Sequence, residues 1–253
     1  MTGTLAAGCS APGGSGPAWT AQPGTSSGTV PGPTGTGTTS PASEPAATPG
    51  ASSTATPGPA ATASAWKTFT DPGRSVSFDL PDEWIAQSVT PDEGALPGAL
   101  KIEVKKPDGT FMAALRTGLP PSESPCPDGA KKPYVVISSV PMARPGLPGA
   151  GTIAPHAVYR VIQGYRYFGS YGITNLVGGA DGQTCELRNV VRGPAGKGDY
   201  SFGDVIALKA FAPDEKVAPA KAFDTLDQAA KYVNEGSDFA NVQRMLMSLE
   251  IKN

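Results

Sequence analysis

From Trp66 to about Ala212 the chain is built of short runs in which apolar and polar residues alternate, broken by Pro and Gly. Val76-Ser77-Phe78-Asp79-Leu80 puts Val76, Phe78 and Leu80 on one face of an extended strand, because successive side chains point to opposite sides. Leu100-Lys101-Ile102-Glu103-Val104 repeats the pattern. Pro107-Asp108-Gly109 supplies turn chemistry, and the apolar run Phe111 to Leu115 returns after it, so 100–116 reads as a hairpin. Further strands are predicted at 134–140, 156–163, 165–174, 184–192 and 200–211. Residues 141–155, dense in Pro and Gly, read as a long exposed loop.

The period then changes from two to that of a helix. Thr225-Leu226-Asp227-Gln228 has the form of a capping box, in which the Thr hydroxyl and the Gln side chain satisfy backbone N–H groups of the first turn. Leu226, Ala229, Ala230 and Val233 share one face behind it, and Gly236 ends the helix. Ser237 or Asp238 is expected to cap a second helix, whose apolar stripe is Phe239, Val242, Met245, Leu246 and Leu249. Many strands followed by two amphipathic helices imply an α+β fold, an antiparallel sheet covered by helices.

Composition divides the chain. The 32 Gly and 27 Pro are not spread evenly and are denser before Trp66. Residues 10–65 are almost entirely Gly, Pro, Ser, Thr and Ala, with Glu44 as their one charge and Trp19 and Val30 as their large apolar residues. Such a stretch cannot bury enough apolar surface to offset its ordering entropy, so it is expected to be a disordered linker or stalk. A flexible chain of that length spans roughly 40 Å, at about 5–6 Å times the square root of the residue number. Its Ser/Thr/Pro content would also accept O-glycans. Residues 66–253 are the expected single globular domain, long enough for one substantial core.

Leu5-Ala6-Ala7-Gly8-Cys9 resembles a bacterial lipobox, the site at which a lipoprotein signal peptide is cut before a cysteine that carries acyl chains. Ala7 and Gly8 are small enough for the cut, and Cys9 has the thiol that takes the lipid. Ala6 stands where the pattern usually has Leu, and Met1 to Gly8 contains neither a basic segment nor an apolar run of ~7–15 residues. The expectation is therefore that 1–9 is a remnant of a signal peptide. The resemblance implies a lipid anchor at Cys9, a cell-membrane location and a domain facing the extracytoplasmic side.

A second resemblance concerns the domain. Val76 to Leu80 followed by Pro81-Asp82-Glu83-Trp84, together with the closing stretch Phe239 to Ile251, resembles the two ends of PsbP-like domains. It implies an α/β/α sandwich, and a non-enzymatic assembly, binding or accessory role. None of that family's binding residues can be placed on this chain.

The charge balance, 20 basic against 22 acidic residues, supplies no field for phosphate backbones, so nucleic-acid binding is not expected. Cys126 and Cys185 form an even pair, which suggests a disulfide in an oxidising compartment; two buried thiols and a redox pair are the alternatives. No cofactor is expected, and two cysteines with a distant His fall short of a zinc site. His156, the one histidine, could act as a base, yet no Gly-x-Ser-x-Gly elbow accompanies it. Tyr159, Tyr165, Tyr167, Tyr171 and Arg166, with Phe168 and Arg160 nearby, are a candidate binding face for a sugar or peptide, or else strand aromatics that pack. Asp92-Glu93, Asp181 and Asp214-Glu215 are candidate paired acids, or solvated loop residues.

The function expected from the sequence is a monomeric, non-enzymatic cell-surface lipoprotein. Its partner would be an envelope protein, a glycan or a small ligand. An envelope hydrolase with a site assembled from loop residues is the alternative, and a structural cap with a large exposed apolar patch is a third reading.

Overall fold

A computed structural model describes residues 61–122, 125–127, 129–143, 151–179 and 181–252. The lipobox-like segment with Cys9 and the linker up to residue 60 lie outside the described residues, as do residues 144–150 of the expected loop.

The alternating runs become strands. The first eight are β1 (Trp66–Thr70), β2 (Val76–Pro81), β3 (Ile85–Val89), β4 (Lys101–Lys105), β5 (Phe111–Leu119), β6 (Lys132–Pro141), β7 (Thr152–Gln163) and β8 (Tyr167–Leu176). Shorter pieces follow: β9 (Gln183–Thr184), β10 (Glu186–Arg188), β11 (Asp199–Gly203), β12 (Ala207–Lys209) and β13 (Lys221–Phe223). Helices α1 (Leu226–Glu235) and α2 (Ser237–Met247) precede the closing β14 (Glu250–Ile251). The main sheet runs β3-β4-β5-β11-β8-β7-β6-β9, with β13 also pairing β8, and β1-β2-β14 and β10-β12 form two smaller sheets. Every pairing is antiparallel.

The expected hairpin is β4–β5, closed where Lys106 N–H donates to Thr110 O and Asp108 accepts from the Thr110 amide. Three expectations are corrected. The strand foreseen at 200–211 is two strands in different sheets: β11 ends at Gly203, and Asp204 turns the chain by accepting the Val205 N–H on its own side chain. The 184–192 strand is broken into the end of β9 at Thr184, the short β10 and a single bridge at Val191, with the disulfide-bonded Cys185 between β9 and β10. The 141–155 loop is shorter than expected, since β6 runs to Pro141 and β7 starts at Thr152. Pro155 is tolerated in β7 because the register with β8 shifts between Thr152 and His156, which removes the need for its missing N–H.

Two apolar clusters form. The larger joins Phe78, Trp84, Ile102, Leu115, Tyr159, Tyr171 and Phe202 to Phe239, Val242 and Met245 of α2 and Ala229 of α1. The Phe239 ring meets the Tyr159 ring edge-on, with centroids 5.4 Å apart. The smaller consists of Ile162, Phe168, Leu187, Leu208 and Ala220, with Tyr134 and Phe211 packed on it. Neither described helix contributes to that second cluster, where an α/β/α sandwich would place one; β10, β12 and the segment after them fill its place.

The α1 capping box is present: Gln228 N–H donates to Thr225 Oγ1 at 3.2 Å, and Gln228 Oε1 accepts from the Thr225 amide. The second cap is not the expected Ser237 or Asp238. Gly236 does both jobs, its N–H closing α1 on Tyr232 O and its carbonyl opening α2 by accepting from Ala240. The helices therefore abut without a linker. Asp238 is left to pair with Lys106 at 2.7 Å. Thr225→Ala should lower the urea unfolding free energy by about 1 kcal/mol, the usual worth of an N-cap side chain, while Thr225→Ser should restore most of it.

Candidate functional site

The tyrosines foreseen as a binding face do not form one surface. Tyr159 and Tyr171 are directly opposed in the β7–β8 register and are 0% and 2% exposed, inside the larger cluster. The Tyr159 hydroxyl lies across Gly169, where a Cβ would stand only 2.2 Å away, so the glycine makes room for the ring. Tyr167 packs at the edge of the same cluster, Tyr165 is exposed in the turn between β7 and β8, and Arg166 pairs with Asp224 at 2.8 Å. Both sides of β8 are covered, so its aromatics serve packing.

Of the candidate acids, Asp92, Asp181 and Glu215 each have a basic partner. Burial would raise the Asp92 carboxyl, but Lys101 and Arg116, which both bond it, hold it below the usual carboxylate range. Glu215 pairs with Lys209, and Asp181 lies 3.8 Å from Lys131. His156 bonds through Nδ1 to Ala154 O. Among the described residues no three His, Cys, Asp or Glu side chains gather as a metal would require, and no helix is long and apolar enough to cross a membrane. Cys126 and Cys185 are joined, with Cα atoms 5.6 Å apart.

Beneath β10 and β12 lies a buried polar relay that the sequence did not reveal. Arg160 donates to Arg188 O and to Asn189 Oδ1 at 2.9 Å; Asn189 Nδ2 donates to Ser170 Oγ at 2.7 Å; the Ser170 hydroxyl donates to Asp204 Oδ1. Every donor in the series points from the guanidinium towards the carboxylate. Burial lowers the Arg160 guanidinium to about 10 and pushes the Asp204 carboxyl up to about 7, against the opposing pull of Ser170 and the Val205 N–H. The relay is fully enclosed, so it can fix β10 and the turn at Asp204 to the sheet but cannot meet a ligand.

Among the described residues an open groove of about 380 Å³ is present. One wall is the 96–100 segment, tied to the end of β5 by Leu96 N–H to Gly118 O at 2.8 Å and Leu100 N–H to Thr117 Oγ1 at 2.9 Å. The facing wall is the Gly/Pro-rich loop 193–198. Asp199 holds it, accepting from Arg192 at 2.8 Å and from the Gly193 amide at 3.2 Å. The third side is Ser75–Val76 and Ile251–Lys252, where β14 pairs β2 and Lys252 N–H donates to Ser75 O at 2.8 Å. Three cations, Arg192, Lys197 and Lys252, line the groove against the single acid Asp199, and Leu96, Pro97 and Ile251 supply apolar wall. None of these residues was singled out from the sequence. Gly193-Pro194-Ala195-Gly196-Lys197-Gly198 is legible as a turn, but its meeting with segments a hundred residues earlier is a property of the sheet.

The chain matches no protein-family model and none of the curated proteins. Among solved structures it is similar to the solution structure of cyanobacterial PsbP (CyanoP) from Synechocystis sp. PCC 6803, at 11% identity, over 74% of this chain and 92% of that one, with a TM-score of 0.29. A TM-score of that size does not define a common fold.

Proposed function

We propose that this chain is a non-enzymatic binding or accessory module of the bacterial envelope. In this reading a lipid on Cys9 anchors it, the Pro/Gly/Ser/Thr linker holds it off the membrane, and the groove between 96–100 and 193–198 receives a small ligand. The observation that carries the binding role is the groove itself, a concave space with apolar wall, clustered cations and a backbone-rich rim, the form small-molecule sites usually take. The Cys126–Cys185 bridge supports an oxidising compartment. The hydrolase alternative draws less support, because Asp92, Asp181 and Glu215 each lie against a lysine of their own and His156 bonds a local carbonyl.

Intact mass of the full protein recovered from its native host tests the anchor. The expected species begins at Cys9, carries acyl mass, and gains two hydrogens on reduction. A chain with an unmodified Cys9 thiol would end the anchored reading. For the binding role, a panel of small ligands is expected to shift amide resonances of the groove without being turned over; catalytic turnover by the purified protein would replace binding with catalysis.

A further inference from the structure

We infer that the groove takes an amphipathic anion, with one carboxylate or phosphate held between Lys197 and Lys252 and an aliphatic body laid along Leu96, Pro97 and Ile251. The inference rests on the groove being the binding site, and it names the chemistry that fits. The whole chain has a net charge of −2, so an excess of two positive charges in one groove runs against its average. The cations differ in what they already do. Arg192 is paired with Asp199 at 2.8 Å, so these two charges of the lining offset each other. Lys197 and Lys252 are exposed and form no ion pair among the described residues. Lys101, Lys106 and Lys209 have carboxylate partners, while Lys67, Lys132, Lys216 and Lys221 form no ion pair among the described residues either. What sets Lys197 and Lys252 apart is that both line one groove.

The backbone places both lysines on the lining of the same groove. Lys197 sits between Gly196 and Gly198, both at positive φ, and its amide donates to Pro194 O at 3.0 Å, which fixes the turn that carries it. A Cβ on Gly198 would stand 2.8 Å from Leu119 O, so the turn lies close against the end of β5. Lys252 is fixed by its own amide to Ser75 O. A nucleic acid or acidic protein would need a broad basic surface; here the charge is confined to a groove with apolar wall, which favours a small molecule having one anionic end. Alkyl chain against Leu96, Pro97 and Ile251 supplies the affinity, and the two ammonium groups select the anion.

The test uses the full chain produced without acylation, with decanoate, decyl phosphate and the neutral decyl maltoside as probes below their micelle thresholds. Binding is read from amide shifts of Gly118, Gly196 and Gly198 and from titration calorimetry. The expected result is that both anions bind, that the Lys197→Gln/Lys252→Gln double variant binds them roughly tenfold more weakly, and that salt weakens the wild type more than the variant. Both lysines are exposed, so the variant should keep its fold, which the remaining amide spectrum reports. Flotation with phosphatidylglycerol vesicles that the double variant loses would support the inference with a lipid headgroup as the anion; decanoate binding without flotation would support it with a free one. Equal binding of decyl maltoside, unchanged in the double variant, would overturn the anion assignment and leave the groove as a site. No response of the three glycine amides to any probe would overturn the groove reading as well.

Discussion

Between pH 4 and pH 7 the wild-type protein is expected to lose about 3 kcal/mol of stability through Asp204, a loss that the Asp204→Asn variant should not show. The argument starts from the turn after β11, which buries the Asp204 side chain at 2% exposure with Oδ2 lacking a hydrogen-bond partner among the described residues. Taking a carboxylate out of water favours its neutral form, so the folded-state pKa rises from 3.8 to about 7. Below pH 3.8 Asp204 is protonated in both states and costs the fold nothing. Between the two values the folded protein still binds the proton while the unfolded chain has released it, so stability falls as the pH rises through the folded pKa. Above pH 7 the penalty is complete. Asparagine can still accept from Ser170 and the Val205 amide, and its charge never changes.

Asp71 and Asp92 have lowered folded pKa values, so they act in the opposite sense and below pH 4, where stability is lost as the pH falls. The difference between wild type and variant isolates Asp204 from them. Urea midpoints from pH 4 to pH 8 give the result directly. Parallel curves for the two proteins would mean that Arg160, through Asn189 and Ser170, already holds Asp204 ionised in the folded state.

The same strands show what the sequence could and could not reveal. In β2 and β4 alternate residues are buried, Val76, Phe78 and Leu80 in one and Ile102 and Val104 in the other. Their period-two pattern is therefore visible one residue at a time. The stripe Phe239, Val242, Met245, Leu246 and Leu249 is visible for the same reason, each of them at most 3% exposed. The central strands are covered on both sides. Ser170 and Thr174 are as buried as Tyr171 and Ile173, and a polar residue there signals a hydrogen-bonded interior rather than a solvent face. That is why the tyrosines could be read either as a binding face or as core.

The relay draws Arg160, Ser170, Asn189 and Asp204 from four elements or turns, and no spacing links them. The groove is less legible still. Its walls come from 75–76, 96–100, 193–199 and 251–252, and each is an ordinary turn or strand end until β5, β11 and β14 set them side by side.

Removing the Cys126–Cys185 bridge is expected to cost about 4 kcal/mol, the loop-closure entropy returned to the unfolded chain when residues 59 apart are no longer tied. The bridge also has a local role. Cys185 lies between β9, which pairs with β6, and β10, which carries Leu187 into the smaller cluster and leads into Asn189 of the relay. The second cluster contains no helix and only two short paired strands, β10 and β12, above β7 and β8. Without the bridge, that layer is held by three paired positions and the side chains beneath it. The Cys126→Ala/Cys185→Ala variant should therefore unfold at lower urea, and its hydrogen exchange should quicken first at 186–189 and 207–209, before the α2 stripe is affected. Wild type in excess reductant should approach the variant, whereas the variant should ignore the reductant. If reduction leaves the wild-type midpoint unmoved, the two sulfurs are free thiols and the packing of Leu187 and Leu208 alone secures the layer. If exchange quickens evenly across the molecule, the bridge acts only on the unfolded chain, and the relay by itself keeps β10 in place.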